Sequence, residues 1–168
     1  MPEQVKVFYE GWGERWHWGT LISSIALTGR PLIAFEYSNE ARRRGLELSS
    51  YKLPLAGPPL RRDFPDHQLQ LPGPVYDALP DGWGMLLMDR MFRRRGINAA
   101  RIGPLQRLAY IGGNAMGAMT FEPVAPEGEA PQVHIPLEQL SAEVQEGLHG
   151  EGGEILLTLV LVGGSVQR

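Results

Sequence analysis

The sequence predicts an α+β fold. An antiparallel β-sheet subdomain with two or three helices is expected over residues 1–123. A linker follows at 124–135, and residues 136–168 read as the beginning of a second unit with one helix and one strand. Three observations carry this expectation. Bulky and polar residues alternate through the first 38 positions, as a half-buried strand requires. Between Leu79 and Ile111 apolar residues instead recur at spacings of three and four, the helical period. Residues 123–134 are then dominated by Pro, Glu and Gly, a composition that marks a boundary.

Val5–Tyr9 reads as a short strand, Glu10-Gly11-Trp12-Gly13 as a turn, and Trp16–Ile22 as the returning strand of a hairpin. Pro31–Tyr37 supplies a third strand. Leu32, Ala34 and Glu36 lie on one face, and Ile33, Phe35 and Tyr37 on the other. Ser38 and Asn39 are expected to cap a short helix from Glu40 to Arg44 that stops at Gly45. The proline-rich stretch 51–74 reads as irregular, with a small extended piece at Tyr51–Leu55.

The strongest helix signal is Gly82–Arg95, with Asp81 as N-cap and an arginine-rich last turn before Gly96. Trp83, Leu86, Leu87, Arg90 and Met91 fall on one face at spacings of three and four. Gly82 and Gly84 each cost about 1 kcal/mol against Ala inside a helix, so a close-packed backbone is expected beside them. A shorter helix runs from Pro104 to about Ile111, with Leu105, Leu108 and Ala109 inward, and Gly112-Gly113-Asn114 ends it. Ala118–Phe121 reads as a returning strand. Beyond the linker, Pro136–Leu148 carries Leu137, Leu140, Val144 and Leu148 at helical spacing. Glu154–Val162 reads as a strand apolar on both faces, which needs neighbours that residues 136–168 do not themselves supply.

Composition narrows the chemistry. The 168 residues are 43% hydrophobic and 21% charged, ordinary for a globular protein. There is no cysteine, which excludes disulfides, thiolate metal sites and thiol nucleophiles. The start carries no charged-then-apolar leader pattern. The longest apolar run, Ile155–Val162, falls far short of the ~18–20 residues of a membrane span. A cytoplasmic protein with no membrane partner is expected. Charge is uneven: residues 1–107 carry 15 Lys and Arg against 11 Asp and Glu, a net +4. Residues 108–168 carry one Arg against eight acidic residues, a net −7.

Most chemical motifs dissolve on inspection. His17, His67, His134 and His149 have no ligand-like spacing. The carboxylate pairs Asp63/Asp66, Asp77/Asp81 and Glu151/Glu154 sit among turn signals and read as caps. Gly112–Gly117 follows a helix rather than a strand, which is wrong for a dinucleotide fingerprint. Arg93-Arg94-Arg95 lacks any base-reading companion and reads as a solvated helix end. The four tryptophans read as core and interface anchors. One motif remains: Gly163-Gly164-Ser165, after an apolar strand, is how a phosphate-binding loop begins, because backbone N–H groups there can cradle phosphate oxygens.

At this point two segments carry a family resemblance. Leu79-Pro80-Asp81-Gly82-Trp83-Gly84, running into an Arg-bearing helix, is similar to the corresponding stretch of HipA-family N-terminal domains. Leu105–Gly112 followed by Met116–Pro123 resembles that domain's closing signature, and Trp18-Gly19-Thr20-Leu21 and Phe35-Glu36-Tyr37 fit its opening. Leu159–Gln167 resembles the strand and Gly-rich loop that begin the HipA kinase core. The resemblance implies the N-terminal part of a bacterial serine/threonine kinase toxin of a type II toxin–antitoxin pair. It also implies a HipB-like antitoxin and, through it, operator DNA as partners. The full-length family uses ATP and Mg²⁺, and no cofactor is expected for this chain. Gly163, Gly164 and Ser165 match the nucleotide loop, and Ser165 matches a serine that the kinase can phosphorylate. The family's ATP-binding Lys, catalytic Asp and metal-binding Asp follow later than Arg168, so no catalytic residue and no kinase activity are expected here. A stand-alone module that restrains a HipA-like kinase in trans is the alternative expectation. A homodimer that covers the 154–162 strand is a further one, and a nucleic-acid binder using the Arg-rich half is the third.

Overall fold

The structure, a computed structural model, describes residues 4–25, 31–115 and 117–123. The linker at 124–135, the unit at 136–168 and the loop residues Gly163, Gly164 and Ser165 lie outside the described residues. Within them the expected α+β fold is present. A five-stranded antiparallel sheet has the order β4-β3-β2-β1-β5, built from β1 (Gln4–Gly11), β2 (Glu14–Ile25), β3 (Pro31–Tyr37), β4 (Leu60–Arg61) and β5 (Met119–Glu122). The helices are α1 (Asn39–Arg44), α2 (Gly73–Tyr76), α3 (Gly82–Arg94) and α4 (Pro104–Ile111).

The hairpin is longer than its apolar pattern suggests. Its strands reach Gly11 and restart at Glu14, leaving a two-residue turn at Trp12 and Gly13, both at positive φ (53° and 77°). That is the turn whose twist matches the flanking strands. In β2 the inward set is Trp16, Trp18 and Leu21, a change from even to odd positions. The cause is a bulge: Val7 pairs with Gly19 but Phe8 pairs with His17, so Trp18 is the extra residue. The bulge lets Trp18 bury fully while Val5 and Val7 opposite stay inward as well.

Trp18 then centres an aromatic cluster. Its ring lies 4.8 Å from Phe35 and 5.3 Å, edge-on, from Tyr37, and Phe35 and Tyr37 are 5.1 Å apart. Gly19 makes this possible, since a Cβ there would fall 2.7 Å from the Glu36 carbonyl oxygen and into the Phe35 ring. Tyr37 donates its hydroxyl to the Leu53 carbonyl at 2.6 Å, pinning the 46–56 loop under the sheet. Burial, and next the charge of Glu47, push the Tyr37 phenol up to about 12.

One local expectation changes. Residues 51–55 form turns and bends rather than an extended piece, and the short strand lies instead at Leu60–Arg61. Pro54 interrupts pairing at the first position. At the second, Arg61 donates to the Pro54 and Ala56 carbonyls and holds the loop closed behind it. The short helix α1 follows its expected caps: Ser38 accepts from the Ala41 N–H at 3.0 Å, and Gly45 ends it at φ 71°.

The Gly19 contact yields a test. Gly19→Ala should cost about 1–3 kcal/mol of unfolding free energy, because β2 must move off β3 or the Phe35 ring must leave its rotamer. Phe35→Leu in the same chain should recover part of that loss in a double-mutant cycle by urea unfolding. Purely additive losses would show that the ring does not set the glycine requirement.

Candidate functional site

The segment that carries the family-like motifs folds into one interlocked piece. Asp81 caps α3, its Oδ1 accepting the Gly84 N–H at 2.9 Å. The helix buries Gly84, Leu87, Met88, Met91 and Phe92. At its far end Arg95 closes the last turn and Gly96 takes a positive φ of 74°. Helix α4 begins at Pro104 as expected, and Gln106 Oε1 accepts the Gly103 N–H at 2.9 Å. Gly112, at φ 55°, ends α4 and offers its carbonyl to the Phe121 N–H at 3.0 Å, tying the helix to β5. Strand β5 returns beside β1, with Val7 opposite Phe121.

The two helices are joined by charge as well as by packing. Arg107, on α4 and almost wholly buried, forms an ion pair with Asp89 on α3 at 2.7 Å. Its Nη1 also approaches the Met88 sulfur at 3.7 Å and the Met85 sulfur at 4.0 Å. Phe92 meets Tyr110 at 4.9 Å beside this pair. Neither Asp89 nor Arg107 stands out in the sequence. The one available signal is an acid inside α3 and a base inside α4, each with an apolar residue on one side, Met88 and Leu108.

Of the five residues that share a face of α3, Leu87 and Met91 are buried and the rest are not. Trp83 is 47% exposed and Leu86 41% exposed, and Arg93 and Arg94 are exposed beyond them. The buried face of α3 is therefore centred about one residue, roughly 100°, from the face that those five share. The reason is that Leu87, Met88, Met91 and Phe92 form a wholly apolar stripe, whereas the alternative contains Arg90. Gly82 has no atom within 4 Å of an added Cβ, so no close approach requires it. Only Trp16 and Trp18 anchor the core, while Trp12 stands 83% exposed at the hairpin tip.

On the outer face of the sheet Arg15 gathers a polar cluster. It donates to Glu10 at 3.1 Å, Glu122 at 2.8 Å and Thr120 at 3.3 Å, and its guanidinium lies 3.8 Å from the Phe8 ring centre. Thr120 in turn donates to Glu10 at 2.9 Å. This cluster stitches β1, β2 and β5, and its donors and acceptors are engaged with one another. His17, beside it, contacts Gly19 O at 2.8 Å and Thr120 is not its partner; Thr20 Oγ1 is, at 3.1 Å. Among the described residues no group of three or more His, Asp or Glu could hold a metal ion. No helix among them is long and apolar enough to cross a membrane.

The architecture is thus an α+β domain in which a capped helix pair and a returning strand close an antiparallel sheet. The protein-family model of the HipA N-terminal domain matches residues 14–122, and the chain belongs to that family. The matched region runs from the first residue of β2 to the last of β5. No curated protein and no solved structure matches the chain.

The Asp89–Arg107 pair can be tested directly. Asp89→Ala should cost about 2–3 kcal/mol in chemical unfolding, toward the low end for a broken buried pair because Asp89 is partly solvated. Replacing both partners, Asp89→Leu with Arg107→Met, should restore most of that stability. A double variant no better than Asp89→Ala would show that the pair contributes stability that apolar packing does not replace.

Proposed function

We propose that this chain is the N-terminal part of a HipA-like serine/threonine kinase toxin of a type II toxin–antitoxin pair, and that the 168-residue polypeptide is itself non-catalytic. The observation that supports the reading most is the family match over 14–122, together with the glycine loop at Gly163-Gly164-Ser165 in the stretch that resembles the start of the kinase core. On this reading the domain described above is a rigid appendage of a kinase. Its partners are a HipB-like antitoxin and, through it, operator DNA. ATP and Mg²⁺ serve the full kinase, and Gly163, Gly164 and Ser165 contribute the first backbone turn against the phosphates. Ser165 is the candidate phosphosite. Phosphoryl transfer depends on positioned cations and carboxylates, and the groups that the family uses for it are not among these 168 residues.

A second reading has one observation in its favour. The sheet closes at Glu122, where the family match also ends, so β1 to β5 and the helices between them form one folded unit over residues 4–122. A unit of that kind suits a stand-alone module that restrains a HipA-like kinase core in trans.

The two readings separate in one assay. The purified chain, with labelled ATP and Mg²⁺, should incorporate no phosphate into itself or into a general protein substrate. Incorporation above the protein-free control would overturn the non-catalytic assignment. Added to a HipA-like kinase core that lacks its own N-terminal region, the chain should restore structure or activity if it is a kinase part. Inhibition would instead favour the restraining module.

A further inference from the structure

The outward stripe of α3 is chemically unusual for a solvated helix face. Trp83 and Leu86 are large, exposed and one turn apart, and Arg90, Arg93 and Arg94 continue the same stripe toward the C-terminus of the helix. The stripe is therefore apolar at one end and basic at the other. The remaining exposed aromatic residues, Trp12 and Tyr51, stand apart on a hairpin tip and a loop. The Arg15 cluster already satisfies its own charges. The α3 stripe is thus the surface whose composition calls for a partner, and the partner must be apolar and acidic.

Such a segment lies in the same chain. Residues 136–148 carry Leu137, Leu140, Val144 and Leu148 at helical spacing, with Glu138, Glu143 and Glu146 and no Lys or Arg. The wider asymmetry agrees, with a net +4 over residues 1–107 and a net −7 over residues 108–168. The tether suffices: the twelve residues 124–135 can span up to about 40 Å when extended. A domain of ~120 residues has a radius of gyration of about 13 Å. A short tether also holds the segment near millimolar effective concentration, so a weak contact is populated in cis.

We infer that residues 136–148 dock along the outward stripe of α3, with their leucines on Trp83 and Leu86 and their glutamates toward Arg93 and Arg94. The contact covers the exposed tryptophan and fixes the direction in which the chain leaves the sheet domain. It needs neither ATP nor a kinase core, so it stands apart from the kinase reading.

The test uses the full chain with a photo-crosslinking benzoylphenylalanine in place of Leu86 and, separately, of Trp83, and a control at Ala100 outside the stripe. Equal amounts of ¹⁵N-labelled and unlabelled chain are mixed, and crosslinked peptides are read by mass spectrometry. Crosslinks from 86 and 83 into 136–148, within one isotopic chain, are expected. Arg93→Glu with Arg94→Glu should lower their yield about fivefold, the effect of losing two exposed ion pairs. Glu143→Arg with Glu146→Arg in the same chain should restore it. Crosslinks between isotopic chains would place a second copy on the stripe and overturn the inference. Crosslinks confined to other segments, none at all, or a yield indifferent to charge reversal would overturn it too.

Discussion

The fold hangs on how β2 passes Trp18. A regular strand would send Trp16, Trp18 and Thr20 to one face and put Leu21 on the other. The extra residue at the bulge keeps the two tryptophans and Leu21 all inward, and so places Trp18 against Phe35 and Tyr37. That cluster works only because Gly19 has no side chain to strike Phe35 and the β3 backbone. Several dependencies follow. Tyr37 reaches Leu53 and holds the loop. Ser38, the next residue, caps α1 and donates its hydroxyl to the His17 carbonyl beside the bulge. Strand β1, held in register by the same bulge, is the template on which β5 pairs.

The second half of the domain is built as a clamp on that template. Helices α3 and α4 are each short, and an isolated helix of 13 or 8 residues is marginal in water. What stabilises them is mutual: a full apolar stripe from each, the Asp89–Arg107 pair between them, and the Gly112 carbonyl that accepts from Phe121. The ion pair restrains more than it stabilises. Two buried apolar residues would pack as well, but a guanidinium with one carboxylate partner and methionine sulfurs beside it accepts few alternative arrangements. Helix α3 is thereby held with Trp83 and Leu86 toward solvent, which is the geometry that makes its outer stripe an interaction surface.

Much of this was legible in the sequence where local chemistry decides the outcome. The caps of α1 and α3, the Pro104 start of α4 and its glycine stop all rest on residues whose role is fixed within four positions. The inward face of β3 followed from alternation alone. What could not be read was set by tertiary contact. The bulge at Trp18 leaves no local mark, since alternation continues on both sides of it. The buried face of α3 turned on a choice between two stripes, and a tryptophan is a poor guide when the other stripe is uniformly apolar. The two-residue β4 is too short to carry a period. The Asp89–Arg107 pair and the Arg15 cluster join residues 18 and 105–107 positions apart, beyond any spacing rule. The family, by contrast, was readable from the order of several modest motifs, because each one reports a turn or cap that this fold requires.

The domain gives the proposed toxin a structural unit with one self-satisfied face and one outward, apolar and basic stripe, followed by a stretch that resembles the opening of a kinase. The central claim is that the 168 residues belong to a HipA-like kinase polypeptide. Its most direct test is the mass of the product made from the native gene, with the downstream DNA read in all three frames. The account predicts a longer product in which the residues after Gln167 continue into a Gly-Ala-Arg-Pro-Lys-type loop and a kinase core. A product that ends at Arg168 with no kinase frame behind it would contradict the toxin reading and leave a module that acts by binding alone.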